Sequence, residues 1–159
     1  MRRACYPGTF DPLSSGHVNI VEKAALHFDE IVLAVAGVTG KSTLFTLEER
    51  TELCQKACAH IPNVIVKSFD GLAVEFAKSH DCEIIIRGLR AVSDFEYELS
   101  IALTNKKLEK CIETLFLIPS YRYLYLSSTI IRQVAQARGN LADMVPDDVR
   151  LALENKFKK

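Results

Sequence analysis

Residues 31–36 read Ile-Val-Leu-Ala-Val-Ala, and this unbroken apolar run of strand length decides the fold. A strand with one face in water alternates apolar and polar residues, whereas a continuous apolar run is typical of a parallel strand buried on both faces. Burial on both faces requires helices on either side of the strand. The flanking sequence predicts an amphipathic helix over residues 16–28, and a second helix that begins at the capping box Thr46-Leu-Glu-Glu49 and runs to about His60.

The rest of the chain continues this alternation of strands and helices. Further strands are predicted at Arg3–Tyr6, where Pro7-Gly8 ends the strand, and at Val64–Lys67, Glu83–Arg87 and Thr114–Ile118. Further helices are predicted at residues 72–80, 94–108, 127–139 and 146–157, with Ser127 or Ser128 as a cap. Five strands alternating with helices predict a single α/β domain over residues 1–159, with a doubly wound five-stranded parallel sheet and helices on both faces.

Composition excludes several classes of protein. The 159 residues are 48% hydrophobic and 25% charged, and 20 basic side chains balance 20 acidic ones, so no overall field would hold nucleic acid or an anionic membrane. The longest apolar stretch, residues 31–38, is far shorter than the roughly 18 residues of a membrane span. Five scattered cysteines without a CxxC pair, and no apolar signal core after Met1-Arg-Arg, lead us to expect a reduced, cytoplasmic protein.

The unusual patches of sequence follow predicted strands. Thr9–His17 follows the first strand, Gly37–Lys41 the second, Arg87–Arg90 the fourth and Tyr123–Thr129 the fifth. In doubly wound sheets, ligands bind beyond the carboxyl ends of the strands, where the winding reverses, so these patches are expected to form one site. We expect the ligand to be an anion, because His17 begins a helix and basic side chains follow the strands.

One of these patches, Gly37-Val-Thr-Gly-Lys-Ser42, looks like a phosphate-binding P-loop but lacks two features of that motif. The first glycine of the motif would stand at position 35, where the chain has Val35. The helix signal also begins at Thr46 rather than at Lys41. We therefore reject a P-loop at this position.

Ser14-Ser-Gly-His17, after Gly-Thr-Phe-Asp-Pro, resembles the (T/H)xGH signature of the nucleotidyltransferase superfamily. The chain as a whole, from Arg3 to the last helix, resembles the phosphopantetheine adenylyltransferase family. The segments that carry this resemblance are Tyr-Pro-Gly-Thr-Phe-Asp-Pro (6–12), Phe-Thr-Leu-Glu-Glu-Arg (45–50), Arg-Gly-Leu-Arg-Ala (87–91), Asp-Phe-Glu-Tyr-Glu (94–98) and Ser-Ser-Thr (127–129). The resemblance implies a Rossmann-like α/β fold. It also implies direct in-line transfer of the adenylyl group of ATP to 4′-phosphopantetheine, giving dephospho-coenzyme A and pyrophosphate.

The same resemblance implies which residues carry the reaction. The catalytic residues would be His17, as stabiliser of the pentavalent α-phosphate, with Lys41 and Arg90. The residues expected at ATP are Thr9, Phe10, His17, Gly88, Leu89, Arg90, Glu98, Tyr123, Leu124, Tyr125, Leu126, Ser127, Ser128 and Thr129. The residues expected at phosphopantetheine are Thr9, Lys41, Ala73 and Arg87. Mg²⁺ would enter with ATP, and the family implies a homohexamer that coenzyme A inhibits.

Several of these residues have an ordinary structural role as the alternative. Ser127–Thr129 can be a helix cap, Glu98 can serve a helix dipole, and the Lys41 side chain can simply be solvated. The chain also departs from the family pattern in three places. These are Ser14 at the first signature position, Thr39 and Thr43 in place of prolines around Lys41, and Leu124 in place of a small polar residue.

Two rival functions stay open. One is a sister nucleotidyltransferase that uses nicotinamide mononucleotide or a glycerol phosphate as acceptor, against which the Arg87–Ala91 and Asp94–Glu98 segments speak. The other is a nucleotide-binding module without catalysis, which the presence of His17 disfavours.

Overall fold

The computed structural model describes residues 1–37, 40 and 42–158. The strands are β1 (Arg3–Gly8), β2 (Glu30–Ala36), β3 (Val64–Phe69), β4 (Ile84–Gly88) and β5 (Glu113–Leu117). They form one parallel five-stranded sheet in the order β3-β2-β1-β4-β5. The helices are α1 (Ser15–Ala25), α2 (Leu47–Cys58), α3 (Ala73–Ser79), α4 (Val92–Leu108), α5 (Ser128–Gln136) and α6 (Asp147–Lys156). The predicted Rossmann-like, doubly wound α/β sheet is confirmed.

The apolar run of β2 is buried on both faces, as its sequence predicts. Ile31, Leu33 and Val35 join the larger core, which packs the sheet against α1, α2, α5 and α6. Val32 and Ala34 point to the opposite face and join a second core that includes α3. All of these side chains are 0% exposed. Because full burial of an aliphatic side chain contributes about 1.5–3 kcal/mol, this run anchors an interior strand of the sheet.

The prediction that Pro7-Gly8 ends the first strand is wrong, because β1 continues to Gly8. β1 pairs with β2 along its whole length, but its pairing with β4 stops at Cys5. The Pro7 carbonyl points to the β4 side, where it accepts a hydrogen bond from Arg87 Nη1 at 3.3 Å. The N–H that proline lacks would point to the same side, beyond the end of the β4 ladder, so Pro7 removes no bond to β2.

The early end of the β1–β4 ladder opens the sheet at the point where the strand order reverses. β1 and β4 are neighbours in space, yet two strands of sequence separate them. Their last residues, Tyr6 to Gly8 and Ile86 to Gly88, carry no mutual pairing. Since ligands of doubly wound sheets bind at such a switch point, the fold itself marks this opening as the place to look for a site.

The helix caps agree closely with their sequence signals. The Thr46 side chain accepts from Glu49 N at 3.2 Å, and the Glu49 carboxylate accepts from Thr46 N at 2.8 Å, so the predicted capping box is present. Ser127, rather than Ser128, is the N-cap of α5, where its side chain accepts from Ile130 N at 3.1 Å. Pro146, predicted in the first turn of the last helix, precedes α6 as its N-cap residue.

Helix α4 differs from the amphipathic helix expected over residues 94–108. It begins at Val92, and Glu98 is its one buried residue. Several of its large apolar side chains face solvent instead: Val92, Phe95, Tyr97, Leu99, Leu103 and Leu108.

Within the described residues, no helix is both long and apolar enough to cross a membrane.

Candidate active site

A cleft of about 320 Å³ occupies the opening between the carboxyl ends of β1 and β4. Three of the four predicted patches meet there: the segment after β1, the segment after β4 and the segment after β5. The lining residues are Tyr6, Pro7, Gly8, Thr9, Phe10, Ser14, Gly16, His17, Ile20, Arg87, Gly88, Arg90, Asp94, Glu98, Pro119, Tyr123, Leu126, Ser127 and Ser128. A Cβ on Gly16 would lie 3.5 Å from Tyr123 Cβ, which shows how closely the first and last segments approach.

The cleft contains most, but not all, of the residues expected at a site. Those that line it are Thr9, Phe10, His17, Arg87, Gly88, Arg90, Glu98, Tyr123, Leu126, Ser127 and Ser128. Leu89, Leu124, Tyr125 and Thr129 belong to the same segments but lie outside its lining. Ala73 lies apart from the cleft, as the first residue of α3 after the edge strand β3. Lys41 falls outside the described residues.

His17 is held by the first turn of α1 in a single orientation. The backbone N–H of Ser14 donates to His17 Nδ1 at 3.0 Å, and the Ser14 hydroxyl accepts from His17 N at 3.2 Å. An imidazole nitrogen that accepts a hydrogen bond carries no proton, so the neutral ring carries its proton on Nε2. Ser14, the departure from the family signature, therefore retains the hydrogen bonds that orient His17.

The surroundings of His17 keep its ring neutral. Burial and the positive charges of Arg90 and Arg87 lower the pKa of His17 from 6.5 to about 4. At neutral pH the side chain therefore offers a hydrogen-bond donor without a net charge. A donor fixed in place at the floor of the cleft, beside two guanidinium groups, is suited to stabilise an oxygen on which negative charge develops.

Arg87 and Glu98 form a bidentate ion pair on one wall of the cleft. Arg87 Nε and Nη2 donate to the two Glu98 carboxylate oxygens at 2.5 and 2.8 Å. Burial alone would lower the pKa of Arg87, but the hydrogen bond and charge of Glu98 outweigh it and raise that pKa. The pair uses two of the five N–H donors of a guanidinium, and the Pro7 carbonyl takes a third. The remaining donors are available to an anion in the cleft.

Arg90 and Asp94 form a second, more exposed pair. Arg90 Nε lies 3.2 Å from Asp94 Oδ2, and the same oxygen accepts from Arg90 N at 3.2 Å. Arg90 Nη1 also donates to the Leu126 carbonyl at 2.6 Å. Arg90 thereby joins the segment after β4 to the segment after β5.

The segment after β5 is tied to α1. Asn19 Oδ1 accepts from Ser120 N at 2.8 Å, and Lys23 Nζ donates to the Ile118 carbonyl at 2.7 Å. These bonds place the 3₁₀ turn at Tyr121–Tyr123 against the cleft. The N-terminus of α5 follows directly, so its free backbone N–H groups lie at the cleft edge.

Sequence reasoning missed two buried charged residues that support the site. Asp11 is 4% exposed, and its carboxylate accepts from Leu44 N at 2.8 Å and Phe45 N at 3.0 Å. Arg50 is 2% exposed and donates to the Thr9 and Ala36 carbonyls at 2.7 Å. The sequence did contain a signal for Arg50. It lies three, four and seven residues before Leu53, Cys54 and Ala57, and therefore on the same buried face of α2.

Across residues 1–37, 40 and 42–158, no group of three or more His, Cys, Asp or Glu side chains is arranged to hold a metal ion. The five cysteines all carry free thiols, and burial raises the pKa of Cys58 and of Cys82 to about 11.

The fold and the cleft define a class of protein. A family model described as cytidylyltransferase-like matches residues 5–134, so the chain is a nucleotidyltransferase. A structure described as a nicotinate-nucleotide adenylyltransferase from Vibrio parahaemolyticus shares the fold, with a TM-score of 0.70 over 100% of this chain and 98% of that one, at 14% identity.

Curated relatives narrow the class to one family. A phosphopantetheine adenylyltransferase from Caldanaerobacter subterraneus subsp. tengcongensis is 49% identical over 100% of this chain and 99% of its own length. The protein of the same name from Solidesulfovibrio magneticus is 47% identical over 97% of this chain and 90% of its own length. The one from Nautilia profundicola is 45% identical over 92% and 96% respectively. The chain belongs to the phosphopantetheine adenylyltransferase family.

Proposed function

We propose that this enzyme transfers the adenylyl group of ATP to 4′-phosphopantetheine, with dephospho-coenzyme A and pyrophosphate as products. Membership of the family supports the choice of substrates. The observation that carries the chemistry is the neutral His17, oriented by Ser14 and flanked by two guanidinium groups at the sheet's switch point.

The main obstacle to this reaction is charge. A phosphate must approach the α-phosphate of ATP, and two unit charges about 4 Å apart repel by about 4 kcal/mol in a medium of effective dielectric 20. Arg87 and Arg90 both line the cleft and supply positive charge, part of which their ion pairs with Glu98 and Asp94 neutralise. The N-terminus of α5 adds backbone N–H groups on the same side. Mg²⁺ would arrive as the ATP complex and neutralise part of the triphosphate charge.

His17 acts on the transition state in this proposal. Its Nε2–H donates to an α-phosphate oxygen, and the bond strengthens as charge accumulates in the pentavalent species. The acceptor phosphate attacks directly, pyrophosphate leaves in line, and no covalent intermediate with the enzyme forms. Because the ring is already neutral and fixed by Ser14, it needs little reorganisation during the step.

The two substrates divide the cleft between them. ATP would lie along the segments after β1 and β5, with Thr9, Gly88, Leu89, Arg90 and residues 123–129 around it, whereas Phe10 and Glu98 would act through His17 and Arg87. Phosphopantetheine would place its phosphate at Arg87 and Lys41, with Ala73 beside its pantetheine arm. Two donors on Arg87 remain after its bonds to Glu98 and Pro7, which suits a phosphate held at that wall.

The decisive experiment measures pyrophosphate release from ATP and Mg²⁺, with 4′-phosphopantetheine or nicotinamide mononucleotide as the acceptor. We expect release that depends on phosphopantetheine. Release only with nicotinamide mononucleotide would favour a sister enzyme of the superfamily. ATP binding without release from either acceptor would favour a non-catalytic module.

A histidine substitution tests the role of the imidazole. His17→Ala should lower kcat by about 10²–10³-fold while the ATP Kd, measured by calorimetry, changes only a few-fold. His27→Ala is the matched control, because His27 is exposed just beyond the end of α1. Parallel losses of ATP affinity and of kcat in the His17 variant would contradict a transition-state role.

We further propose a cytoplasmic homohexamer that coenzyme A inhibits. The apolar side chains that α4 leaves in solvent favour self-association. Light scattering tests the oligomer, and coenzyme A added to the pyrophosphate assay tests the inhibition. A monomer at micromolar concentration would refute the assembly.

A further inference from the structure

Phe10 has an unusual backbone for a bulky residue. Its φ is 50°, in the left-handed region that large side chains rarely adopt. The residue lies two positions after the end of β1, and its neighbour Thr9 is exposed to the cleft. A strained backbone persists only where the surrounding structure imposes it, so the contacts of the Phe10 ring are the place to look for its purpose.

The ring of Phe10 is packed against the imidazole of His17. The two ring centroids are 5.2 Å apart and the planes lie at 89°, an edge-to-face arrangement. Tyr6 packs on the Phe10 ring in the same way, at 5.5 Å and 78°. Edge-to-face aromatic pairs of this kind are favourable and fix the relative orientation of the two rings.

Gly8 makes room for this ring. A Cβ on Gly8 would lie 2.7 Å from Phe10 Cζ and 3.0 Å from both Cε atoms, closer than real side-chain contacts allow. The Phe10 side chain is also 4% exposed, so its faces are covered by protein. A ring in this position has no free face on which a nucleotide base could stack.

We propose that Phe10 is a positioning residue: its buried ring fixes the His17 imidazole at the cleft floor, and Gly8 is glycine so that the ring can lie there. This role deepens the proposed function. The packing of Phe10 on His17 does not depend on that function, and only the expected effect on kcat rests on it. The backbone strain at Phe10 directs the ring inward beneath Gly8 rather than outward towards ATP. Ser14 then fixes the proton position on His17, and Phe10 fixes the ring plane and excludes water from one side.

The charged groups that act on His17 belong to β4, to the segment after β4 and to α4. Arg87 of β4 and Arg90 of the following segment face the imidazole, and Glu98 and Asp94 of α4 pair with these two arginines. Tyr6 of β1 faces the same ring. A substitution of Phe10 changes none of these groups, so any change in the titration of His17 reports the loss of the packed ring.

The test titrates His17 by NMR in the wild type, Phe10→Ala and Phe10→Leu, and measures kcat and the ATP KM alongside. In Phe10→Ala we expect the pKa of His17 to rise from about 4 by at least about one unit towards 6.5, because water reaches the ring. We expect kcat to fall about 10- to 100-fold with an ATP KM within about threefold of the wild type. Phe10→Leu keeps apolar bulk, so the pKa of His17 should stay closer to its wild-type value than in Phe10→Ala. The kcat of Phe10→Leu should recover less completely.

Two results would overturn the proposal. One is an unchanged His17 pKa in Phe10→Ala. The other is an ATP KM raised about tenfold with kcat intact, which would make Phe10 a nucleotide contact. The titration needs neither acceptor nor turnover, so it separates failure of this proposal from failure of the proposed function.

A double-mutant cycle provides a second measurement if Phe10→Ala folds poorly. Gly8→Ala should lower the melting temperature clearly in the wild-type background, because the new Cβ meets the end of the ring. The same change should be nearly silent in the Phe10→Leu background, where the atoms it meets are gone. Equal effects in the two backgrounds would refute the link between Gly8 and the ring.

Discussion

Replacement of Arg50 by methionine should both destabilise the protein and disturb the cleft. Arg50 Nη1 donates to the Thr9 and Ala36 carbonyls at 2.7 Å, and Nε donates to the Phe45 carbonyl at 3.2 Å. One side chain of α2 therefore joins the end of β2, the start of α2 and the segment that carries Thr9 into the cleft. The guanidinium is 2% exposed, so water does not compete for these bonds.

The magnitude follows from these three bonds. Methionine replaces the aliphatic stem of Arg50 but not its guanidinium, so the change leaves a small void beside the three carbonyls. The loss is that of three charge-assisted hydrogen bonds, offset by the desolvation that the buried guanidinium no longer requires. Each buried carbonyl left without a donor costs about 1–3 kcal/mol, and the relieved desolvation offsets part of that sum, so we expect a net loss of about 3–5 kcal/mol. For a chain of this size that corresponds to a fall in Tm of about 10 °C.

Thermal unfolding with and without ATP would measure the loss of stability, and steady-state kinetics would measure the effect on the cleft. Arg150→Met is the matched control, because Arg150 makes only local ion pairs on α6, to Asp147 and Glu154. The control should shift Tm by no more than about 2 °C. If Arg50→Met melted within about a degree of Arg150→Met, the buried contacts would contribute no net stability, and the reasoning would be wrong.

Two further results are expected. Since burial and the nearby arginines lower the pKa of His17 to about 4, the imidazole stays neutral as pH falls and gains its proton only near pH 4. The pH profile of kcat/KM, which reports the free enzyme, should therefore lack a His17-dependent inflection between pH 5.5 and 8, and an inflection near 6.5 that disappears in a His17 variant would contradict this. Glu98→Ala should raise the phosphopantetheine KM about tenfold, because Arg87 loses its bidentate partner, whereas Glu98→Gln keeps an acceptor and should have a smaller effect. An increase confined to the ATP KM would instead make Glu98 a nucleotide contact.

Local sequence signals located most of the secondary structure correctly. The Thr46–Glu49 capping box depends on contacts within a few residues. The apolar run of β2 is recognised by its burial pattern alone. The strand that β1 forms through Pro7 was missed because the cost of a proline depends on which neighbour its missing N–H would face. That neighbour is β4, which follows 70 and more residues later and whose pairing ends before Pro7 is reached.

By itself, the sequence determined the class of fold, the position of the switch-point patches and the family to which the chain belongs. Strand burial, helix caps and motif spacing are properties of adjacent residues, so they can be read in order along the chain. The tertiary structure alone decided that Arg87 shares its charge with Glu98, that Arg50 supports Thr9, and that Phe10 turns inward onto His17. These features depend on distances across the sheet and on burial, which fix partners, protonation and orientation only after the elements have packed.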